Sequence, residues 1–348
     1  MVDTKKILFG LTLQELKQEV TDLGLPSYTA AQIAQWLYSK GVDTVEQMTN
    51  ISLSARNMLQ ERFAMGLYAP TQVQVSKDGT KKYLFAVSQG RFVEAAYMPE
   101  TSRSTLCVST QVGCRMGCRF CMTATQGLQG NLTAGEILNQ IRSLPERQTL
   151  TNIVYMGMGE PLDNLQETLK SLEILTSSYG FGMSAKRITV STIGLLPALE
   201  EFLQKSTCNL AISLHSPFDS ERQELMPMQK AHPIKEILEA IKTPAADRTR
   251  RISFEYIVFK GVNHSRTHAN EIARILNGMK CRINLLRYHS LPNNPLQTPT
   301  EEDMQVFQQL LEQKGLITTI RKSRGQDIDA ACGLLSTKML KNKTLNTF

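Results

Sequence analysis

The pattern of apolar and polar residues divides the chain into a short helical part and a longer part in which strands and helices alternate. In the first 65 residues, apolar side chains recur at helical spacing, as in TLQELKQEVTDLG and SYTAAQIAQWLYSKG. Thr12 and Thr29 are each followed three residues later by Glu or Gln, and glycines Gly24 and Gly41 follow the two segments. These are the signals of helix starts and stops, so they predict two helices, with a third in SLSARNMLQERF.

Alternation with period two replaces the helical pattern in residues 66–100. TQVQVSKDGTKKYLFAV contains a Lys-Asp-Gly turn between two strand-like runs, and SQGRFVEAAYMP supplies a third run. The alternation places Glu94 on one face with the apolar Phe92 and Ala96. A position at the edge of a strand is the ordinary explanation for such a glutamate. We therefore expect a hairpin or linker extension here.

Strand-like and helical segments alternate regularly in residues 101–335. The strand-like segments are TLCVSTQ, NIVYMGM, RITVSTI, NLAISLH, RISFEYIVF, CRINLLRYH and LITTIRKS. Alternation of this kind is typical of parallel strands covered by helices. About six βα units predict an α/β fold, an open partial (βα)6 barrel with a small N-terminal helical domain, followed by a C-terminal tail at 336–348.

Polar residues and glycines follow several of these strand-like segments. In βα folds the carboxyl ends of the strands form the binding site. The candidates at these ends are Gly159, Glu160, Ser191, Ser213, His215 and His289.

Composition and charge narrow the classes of protein. The chain has 348 residues with 41% hydrophobic residues, a formal charge of +7 and a pI of about 9.0. No apolar run is long enough to span a membrane, and the N-terminus lacks the apolar region of a signal peptide. We therefore expect a cytoplasmic protein without a membrane partner. The moderate basic excess permits a nucleic-acid partner without establishing one.

Cysteine spacing carries the clearest chemistry. Seven cysteines in a reducing compartment favour metal binding or catalysis over disulfides. Cys114, Cys118 and Cys121 form Cys-x3-Cys-x2-Cys, which can hold three corners of a [4Fe–4S] cluster and leave one iron open. A structural zinc site is the alternative, but it wants four ligands, and Cys107 lies seven residues earlier in a strand-like run.

This spacing, with Phe120 before the third cysteine, resembles the motif of the radical S-adenosylmethionine (SAM) superfamily. The resemblance implies a partial (βα)6 barrel with a cluster whose open iron binds SAM. GMGEP, from Gly157 to Pro161, follows the next strand, where backbone groups and Glu160 could meet the SAM ammonium. A tight turn would explain the same glycines.

A further cysteine lies far along the chain. Cys332 follows the last strand in RGQDIDAACG, after the basic residues Arg321, Lys322 and Arg324. Neighbouring cations lower the pKa of a thiol and make it nucleophilic, so Cys332 is a candidate nucleophile. Cys208 and Cys281, in contrast, lie in strand-like runs and are expected in the core.

Together these motifs resemble the RlmN/Cfr family of radical SAM RNA methyltransferases, and within it the RlmN branch. The resemblance covers nearly the whole chain. It rests on QIAQWLYSKGV, TLCVSTQVGCRMGCRFCMTATQG, YMGMGEPLDN, ITVSTIG, AISLH, INLLRYH and RGQDIDAACG.

The resemblance implies roles for three residues outside the cluster. Cys332 would receive a methyl group from one SAM, and a second SAM would supply the radical that activates this methyl group for addition to adenine C2. Glu94 would accept the ring proton. Cys107 would then attack the sulfur of Cys332, forming a disulfide and releasing the methylated RNA.

The remaining candidates are a set of SAM contacts implied by the resemblance and a pair of histidines. His289 stands where the family often has Asn, although His can still make a hydrogen bond. His264 and His268 have a helical metal-like spacing without further ligands, so we expect them at a surface or a helix cap. The implied SAM contacts are Gly159, Glu160, Ser191, Ser213, Leu214, His215 and His289.

The family implies RNA partners. Its substrates are an adenosine of the peptidyl-transferase centre in 23S rRNA and the adenosine 3′ of certain tRNA anticodons. The helical unit at 1–65 resembles the family's accessory RNA-binding domain. A monomer supplied with electrons by a flavodoxin or a ferredoxin is expected.

Three other functions remain open at this point. The Cfr branch methylates C8 of the same rRNA adenosine and shares the five catalytic cysteines, so those residues do not discriminate between the branches. A non-catalytic RNA-binding protein with a metal site would cleave no SAM. An electron-transfer ferredoxin would need a fourth cluster ligand, which the cysteine spacing does not offer.

Overall fold

The structure is a computed structural model, and it describes residues 5–242 and 249–337. Most of the tail predicted at 336–348 lies outside the described residues. In the two described ranges, no helix is both long enough and apolar enough to cross a membrane.

The N-terminal unit is helical, as predicted. Its three helices are α1 (Leu13–Asp22), α2 (Tyr28–Ala34) and α3 (Leu53–Arg62). The capping box of α1 is confirmed, because the Glu15 N–H donates to Thr12 Oγ1 at 3.2 Å while the Thr12 N–H donates to Glu15 Oε2 at 2.7 Å. The side chain of Ser52 caps α3 in the same way, accepting from the N–H of Ala55.

The start of α2 differs from the prediction. The helix begins at Tyr28, so Thr29 lies inside its first turn, buried, and does not cap it. Helical backbone continues from Gln35 to Lys40 as a π-helix and stops at Gly41, whose φ of +66° is left-handed. The predicted glycine stop is therefore confirmed, while the capping box at Thr29 is wrong.

Two short strands close the N-terminal unit. β1 (Lys6–Ile7) pairs in parallel with β2 (Phe63–Ala64), which joins the beginning of the unit to its end. Strands of two residues carry no readable alternation, so the sequence pattern did not reveal them.

The remaining strands build the rest of the molecule. They are β3 (Gln72–Val75), β4 (Lys81–Val87), β5 (Arg91–Pro99), β6 (Ser104–Cys107), β7 (Gln111–Val112), β8 (Gly130–Asn131), β9 (Asn152–Tyr155), β10 (Ile188–Thr192), β11 (Asn209–Ser213), β12 (Ile252–Val258), β13 (Cys281–Arg287) and β14 (Thr318–Ile320).

All of these strands except β7 and β8 join one ten-stranded sheet, in the order β14-β13-β12-β11-β10-β9-β6-β5-β4-β3. The seven strands from β14 to β6 are parallel and correspond to the seven predicted strand-like segments. The predicted α/β partial barrel is confirmed. The hairpin of β3, β4 and β5 continues the same sheet, because β5 pairs antiparallel with β6.

Helices cover the parallel strands and bury their apolar faces against them. Ile137, Leu172, Phe202, Ile272 and Phe307, one from each of five helices, are almost fully buried. The helices are α4 (Ala134–Arg142), α5 (Leu165–Thr176), α6 (Ala198–Lys205), α7 (Asp219–Leu225), α8 (Ile234–Lys242), α9 (Arg266–Ile275) and α10 (Glu301–Glu312). This arrangement leaves the carboxyl ends of the parallel strands on one side of the molecule.

Candidate active site

A cavity of about 420 Å³ lies among the parallel strands and the loops at their carboxyl ends. Five of the seven cysteines line it, while Cys208 and Cys281 do not. Cys208 is buried just before β11, and Cys281, the first residue of β13, packs against the core. Of the predicted site residues, those that line the cavity are Cys107, Cys114, Cys118, Cys121, Gly159, Glu160, Ser191, Ser213, His215, His289 and Cys332.

The loop after β7 brings three of these cysteines to the cavity. Gly113, at φ +75°, admits no side chain, since a Cβ there would lie 1.8 Å from the carbonyl oxygen of Gly127. This close approach lets the Cys114 N–H donate to the same carbonyl at 3.2 Å. One turn further, the Cys121 N–H donates to the Cys118 carbonyl at 3.2 Å. The backbone of the loop therefore fixes where the three thiols point.

The three thiols disfavour one another's charge. Burial raises the pKa of Cys114 to about 12, and the charges of Glu160 and Cys121 add to the shift. Burial raises the pKa of Cys118 well above its usual value, followed by the charges of Cys121 and Cys114. A bound cationic metal centre has the opposite effect: it lowers the pKa of the thiols that bind it and holds them as thiolates.

The donor set fits an iron–sulfur cluster. The three thiols line one cavity and are close enough for their charges to interact. This arrangement suits a cubic [4Fe–4S] cluster, in which each of several iron atoms is bound by a separate cysteine. Within residues 5–242 and 249–337, no three His, Cys, Asp or Glu side chains are arranged to hold a single metal ion.

Cys107 and Cys332 lie near each other beside this loop. Cys107 ends β6 and packs in a small apolar cluster with Ala96, Val154 and Ala330. Burial raises the pKa of Cys107, and the charge of Cys332 raises it further. All the cysteines are free thiols in the structure.

The pKa of Cys332 shifts opposite to the sequence-based expectation. The side chain of Cys332 is exposed to the cavity. The protein that surrounds it nevertheless removes the thiol from bulk water, and this burial raises its pKa. Arg321 lowers the pKa by a smaller amount, and Glu255 raises it again. The cost of removing a thiolate from water therefore exceeds the attraction of the nearby cation.

The segment that carries Cys332 is fastened to the cysteine loop. The Met122 N–H donates to the Gly333 carbonyl at 2.7 Å, and Thr123 Oγ1 donates to the Leu335 carbonyl at 2.7 Å. These bonds join positions that are about 210 residues apart in sequence. They hold Cys332 next to Cys121, whose charge also affects the Cys332 thiol.

The same segment is fastened to the hairpin turn between β3 and β4. The Gly325 N–H donates to Asp78 Oδ2 at 3.0 Å, and Ser76 Oγ donates to Asp327 Oδ1 at 2.5 Å. Hydrogen bonds, including the one from Gly325, hold the pKa of Asp78 near 2 despite partial burial. We call Ser76, Asp78, Gly325 and Asp327 the hairpin latch.

GMGEP forms a tight turn after β9. Gly159 has φ +98°, and a Cβ there would lie 2.6 Å from the Gln111 side chain. The carboxylate of Glu160 accepts from the Leu162 N–H at 3.0 Å and from the Ile193 N–H at 3.0 Å. Burial raises the pKa of Glu160 to about 7. Glu160 thus ties the end of β9 to the end of β10 and still lines the cavity.

The end of β11 is held by hydrogen bonds. His215, at φ +55°, accepts the Ile257 N–H on Nδ1 at 2.9 Å, and burial lowers its pKa to about 3. The ring is therefore neutral at pH 7. Leu214 is buried and does not line the cavity, and its N–H donates to the Glu255 carbonyl.

A buried arginine holds this end from behind. Arg222 is 1% exposed. Its guanidinium donates to three backbone carbonyls, those of Leu214 at 3.2 Å, Ile193 at 3.1 Å and Ser213 at 2.9 Å. The β10 and β11 ends are therefore clamped together by one side chain.

The predicted histidines fall into two groups. His289 lines the cavity, where its Nε2 lies 3.0 Å from Ser323 Oγ and burial lowers its pKa. His268 completes a capping box with Ser265 at the start of α9, which confirms the capping interpretation. His264 contacts the Phe259 carbonyl and lies 3.5 Å from Asp303.

Glu94 lies beside the cavity and does not line it. Its carboxylate pairs with Lys82 at 3.1 Å and accepts the Ser336 N–H at 2.8 Å. Burial raises its pKa even though Lys82 opposes the shift. It points to the same face of β5 as Ala96, which is paired with Cys107.

Sequence reasoning missed three polar residues inside strands, Glu255, Asn284 and Thr319. Together with the predicted Ser213 they form one cross-strand row on β11 to β14, and all four line the cavity. The available signal was a polar residue at every second position of apolar strands, as in RISFEYIVF.

Four basic residues at the same cavity, Arg103, Arg251, Arg282 and Arg287, were also missed, whereas Arg321, Lys322 and Arg324 were noted beside Cys332 in the sequence. The charges of Arg321 and Arg251 lower the pKa of Arg103, although burial is the larger cause. The basic lining residues are Arg103, Arg251, Arg282, Arg287, Arg321, Lys322 and Arg324.

Two protein-family models match the chain. Residues 108–270 match the radical SAM superfamily. Residues 7–65 match the N-terminal domain of the ribosomal RNA large subunit methyltransferase.

Curated relatives match over nearly the full length. A probable dual-specificity RNA methyltransferase RlmN of Parabacteroides distasonis is 53% identical, covering 97% of this chain and 98% of the relative. A dual-specificity RNA methyltransferase RlmN of Syntrophus aciditrophicus is 44% identical over 96% of this chain and 97% of the relative.

A solved structure has the same fold. The crystal structure of a radical SAM methyltransferase from Sphaerobacter thermophilus superposes with a TM-score of 0.88 at 39% identity, covering 95% of this chain and 99% of that one. The spacing of the cluster cysteines, the partial barrel and these relatives agree. The chain therefore belongs to the RlmN family of radical SAM RNA methyltransferases.

Proposed function

We propose that the protein methylates C2 of adenosine in 23S rRNA, at the peptidyl-transferase centre, and in tRNA, 3′ of the anticodon. The observation that carries the methyltransferase mechanism is the proximity of Cys107 and Cys332 on the wall of the cavity that Cys114, Cys118 and Cys121 also line. A metal site alone would not need this second pair of thiols. The choice of C2 over C8 rests on the full-length relatives, which are named RlmN. The relatives that match over the full length are named dual-specificity RNA methyltransferases.

Cys114, Cys118 and Cys121 hold a [4Fe–4S] cluster in this proposal, because their thiols share one cavity wall. When bound, the cluster and two SAM molecules per turnover supply the methyl group and the one-electron chemistry that an unreactive ring carbon requires. The surrounding cavity excludes bulk water from the reacting groups.

The chain's own residues would bind and orient SAM at the strand ends. Gly159 lets the turn pack against Gln111 with a left-handed backbone at the cavity wall, and Glu160 offers a carboxylate to an ammonium group. The neutral ring of His215 lies in edge contact with Phe120, 4.7 Å between centroids. The other proposed SAM contacts are Ser191, Ser213, the backbone of Leu214, and His289.

Cys332 carries the transferred methyl group as S-methylcysteine. This group would lose one hydrogen atom before its carbon bonds to the adenine ring, and the one-electron chemistry that the bound cluster and SAM would supply would take up that hydrogen atom and the electron released from the ring. Glu94 accepts the proton from C2, a role supported by burial, which raises its pKa. The thiolate of Cys107 then attacks the Cys332 sulfur. An S–S bond forms, the bond from the Cys332 sulfur to carbon breaks, and the electron pair stays with that carbon, which takes up a proton to become the methyl group on C2.

The basic residues at the cavity support an RNA partner. The charges of Arg251 and Arg321 act on Arg103, and this concentration of positive charge favours an incoming phosphate. We assign RNA docking also to the N-terminal unit, which matches the corresponding family domain. A cytoplasmic monomer that receives electrons from a flavodoxin or ferredoxin completes the proposal.

The test is an anaerobic assay with labelled SAM. The protein is reconstituted with iron and sulfide and offered a 23S rRNA fragment or a tRNA transcript, and the methylated nucleoside is identified by mass spectrometry. We expect 2-methyladenosine from both RNAs. 8-Methyladenosine as the only product, or no methylation of either RNA, would contradict the proposal.

Cysteine variants test the proposed pair separately. In Cys107→Ala the release step is blocked, so a covalent RNA–protein adduct should accumulate and appear as a shifted band on a denaturing gel. Cys332→Ala lacks the sulfur that carries the methyl group and should form no adduct. Cys208→Ala removes a buried cysteine outside the cavity and is the matched control. Full turnover by all three variants would contradict the mechanism.

A further inference from the structure

A buried carboxylate in the cavity has no role in the reaction as described above. Glu255 is 5% exposed and lies in the middle of β12. In the cross-strand row it stands between Ser213 of β11 and Asn284 of β13, and its side chain lines the cavity. Burying a carboxylate in a core position is costly unless it has a partner.

Hydrogen bonds fix the orientation of this carboxylate. Asn284 Nδ2 donates to Glu255 Oε1 at 2.7 Å, and Ser253 Oγ donates to the same oxygen at 3.1 Å. Among the described residues, both hydrogen bonds of the carboxylate end on Oε1. Asn284 donates to this carboxylate through Nδ2, and among the described residues no protein donor reaches its Oδ1. Two acceptor oxygens, Glu255 Oε2 and Asn284 Oδ1, thus remain available to a ligand.

The chemistry of these oxygens selects the ligand. Neighbouring acceptor oxygens bind a group that carries hydrogen-bond donors. An adenosine has one such group on its base, the N6 amine, and another on its sugar, the ribose diol. Both the target RNA and SAM carry the N6 amine, whereas only SAM carries a free ribose diol, because the 3′ oxygen of an RNA nucleotide is esterified. Two sources of donor groups therefore enter the cavity.

The position of Glu255 favours the target base over SAM. Glu255 lies close enough to Cys332 for its charge to act on that thiol. Cys332 carries the methyl group in the proposed function, so the adenine must lie against it. Of the proposed SAM contacts, Glu160 and Ser191 lie at the ends of β9 and β10, which do not border β12, whereas Ser213 stands beside Glu255 in the cross-strand row. SAM therefore borders the subsite on the β11 side, and the proximity of Glu255 to Cys332 assigns the subsite to the base.

We propose that Glu255 and Asn284 form the subsite that recognises the N6 amine of the target adenine. This inference rests on the proposed function and deepens it. The amine donates to Glu255 Oε2 and Asn284 Oδ1, which holds the ring with C2 toward Cys332. Asn284 and Ser253 in turn keep the carboxylate facing the base. The subsite would make a reaction at C2 depend on the distant C6 substituent.

The first test changes the RNA alone. The target adenosine of a tRNA anticodon stem-loop is replaced by purine riboside, which keeps the C2–H bond and lacks the amine. Loss of a hydrogen bond to a charged group should lower kcat/KM about tenfold or more in the wild-type protein. Equal kcat/KM for the two RNAs would overturn the inference without the need for any variant.

The second test reverses the polarity of one contact. In Glu255→Gln, the donor from Asn284 keeps the glutamine carbonyl on its side, so the glutamine N–H groups turn toward the base. The variant should lose its preference for adenosine over purine riboside and gain relative activity on inosine, which carries a carbonyl at C6. For each pair of RNAs, the ratio of kcat/KM values in the variant is divided by the same ratio in the wild type. This comparison cancels the intrinsic reactivity of each base. An equal loss on all three RNAs would overturn the inference.

Two further measurements separate the sources and the hypotheses. Thr189→Val alters another cavity-lining residue and should leave the ratio of adenosine to purine riboside unchanged. S-methylation of Cys332 without RNA, followed by peptide mass spectrometry at several SAM concentrations, should be the same in Glu255→Gln and wild type. A higher SAM requirement in the variant would assign the subsite to SAM and overturn the inference. A wild-type protein inactive on every RNA would instead contradict the proposed function itself.

Discussion

Arg222 should be among the most costly residues to replace, because its buried guanidinium clamps two strand ends at the site. It donates to the carbonyls of Ile193, Ser213 and Leu214 at 2.9–3.2 Å and is 1% exposed. In Arg222→Met the three carbonyls lose a charged donor, although a methionine fills most of the space.

The expected cost follows from these contacts. Hydrogen bonds to a charged group contribute about 1.5–3 kcal/mol each, and removal of a buried charge returns several kcal/mol of desolvation free energy. The net loss in the free energy of unfolding should be about 2–5 kcal/mol. The Arg222→Lys variant keeps the positive charge, so its loss should be smaller than that of Arg222→Met. It should still be destabilised, because a single ammonium group cannot reach three divergent carbonyls.

Urea denaturation of anaerobically reconstituted protein measures this loss. Arg274→Met is the matched control, because Arg274 is exposed and pairs only locally with Glu271 at 2.6 Å. The control should unfold at the wild-type urea concentration. A loss below about 1 kcal/mol in Arg222→Met would refute the clamp. SAM affinity, measured by equilibrium dialysis, should fall in Arg222→Met and stay unchanged in the control.

Three further outcomes are expected. Gly159→Ala should abolish SAM binding in the dialysis assay, because its Cβ would lie 2.6 Å from Gln111 and the backbone is left-handed there; wild-type binding would contradict this. Burial raises the pKa of Cys107, so its thiol is protonated at pH 7. Single-turnover release of methylated RNA should therefore accelerate about tenfold per pH unit between about pH 7 and 9, and a flat profile would show that Cys107 does not limit release. Asp327→Ala removes the acceptor of Ser76 and should speed amide hydrogen exchange in residues 325–336, with Glu312→Ala as an exposed control; equal exchange would exclude a role for the latch.

Local signals in the sequence predicted much of the fold. The capping box at Thr12 and the glycine stop at Gly41 depend on residues a few positions apart, and both are confirmed. The prediction for Thr29 is wrong because Ser27, two residues earlier, is also a residue type that favours the N-cap position, and the helix starts directly after it at Tyr28. The seven parallel strands were predicted from the alternation of strand-like and helical segments along the chain.

Features that depend on register or burial were beyond the sequence. Glu255 and Asn284 are 29 residues apart, and only the pairing of β12 with β13 makes them neighbours. The thiol of Cys332 was expected to have a lowered pKa because cations precede it in sequence. Burial depends on the packing of the whole barrel, and it determines the opposite direction.

The hairpin latch has a practical consequence for anyone who labels or tags this protein. The turn between β3 and β4, with Lys77, Asp78 and Gly79, looks like an ideal insertion point for an epitope or a fluorophore, because it is a polar surface turn. Its side chains and backbone nevertheless hold the segment that presents Cys332, about 250 residues away in sequence. An insertion there would act as a distant active-site mutation, so a tag is better placed at another surface loop.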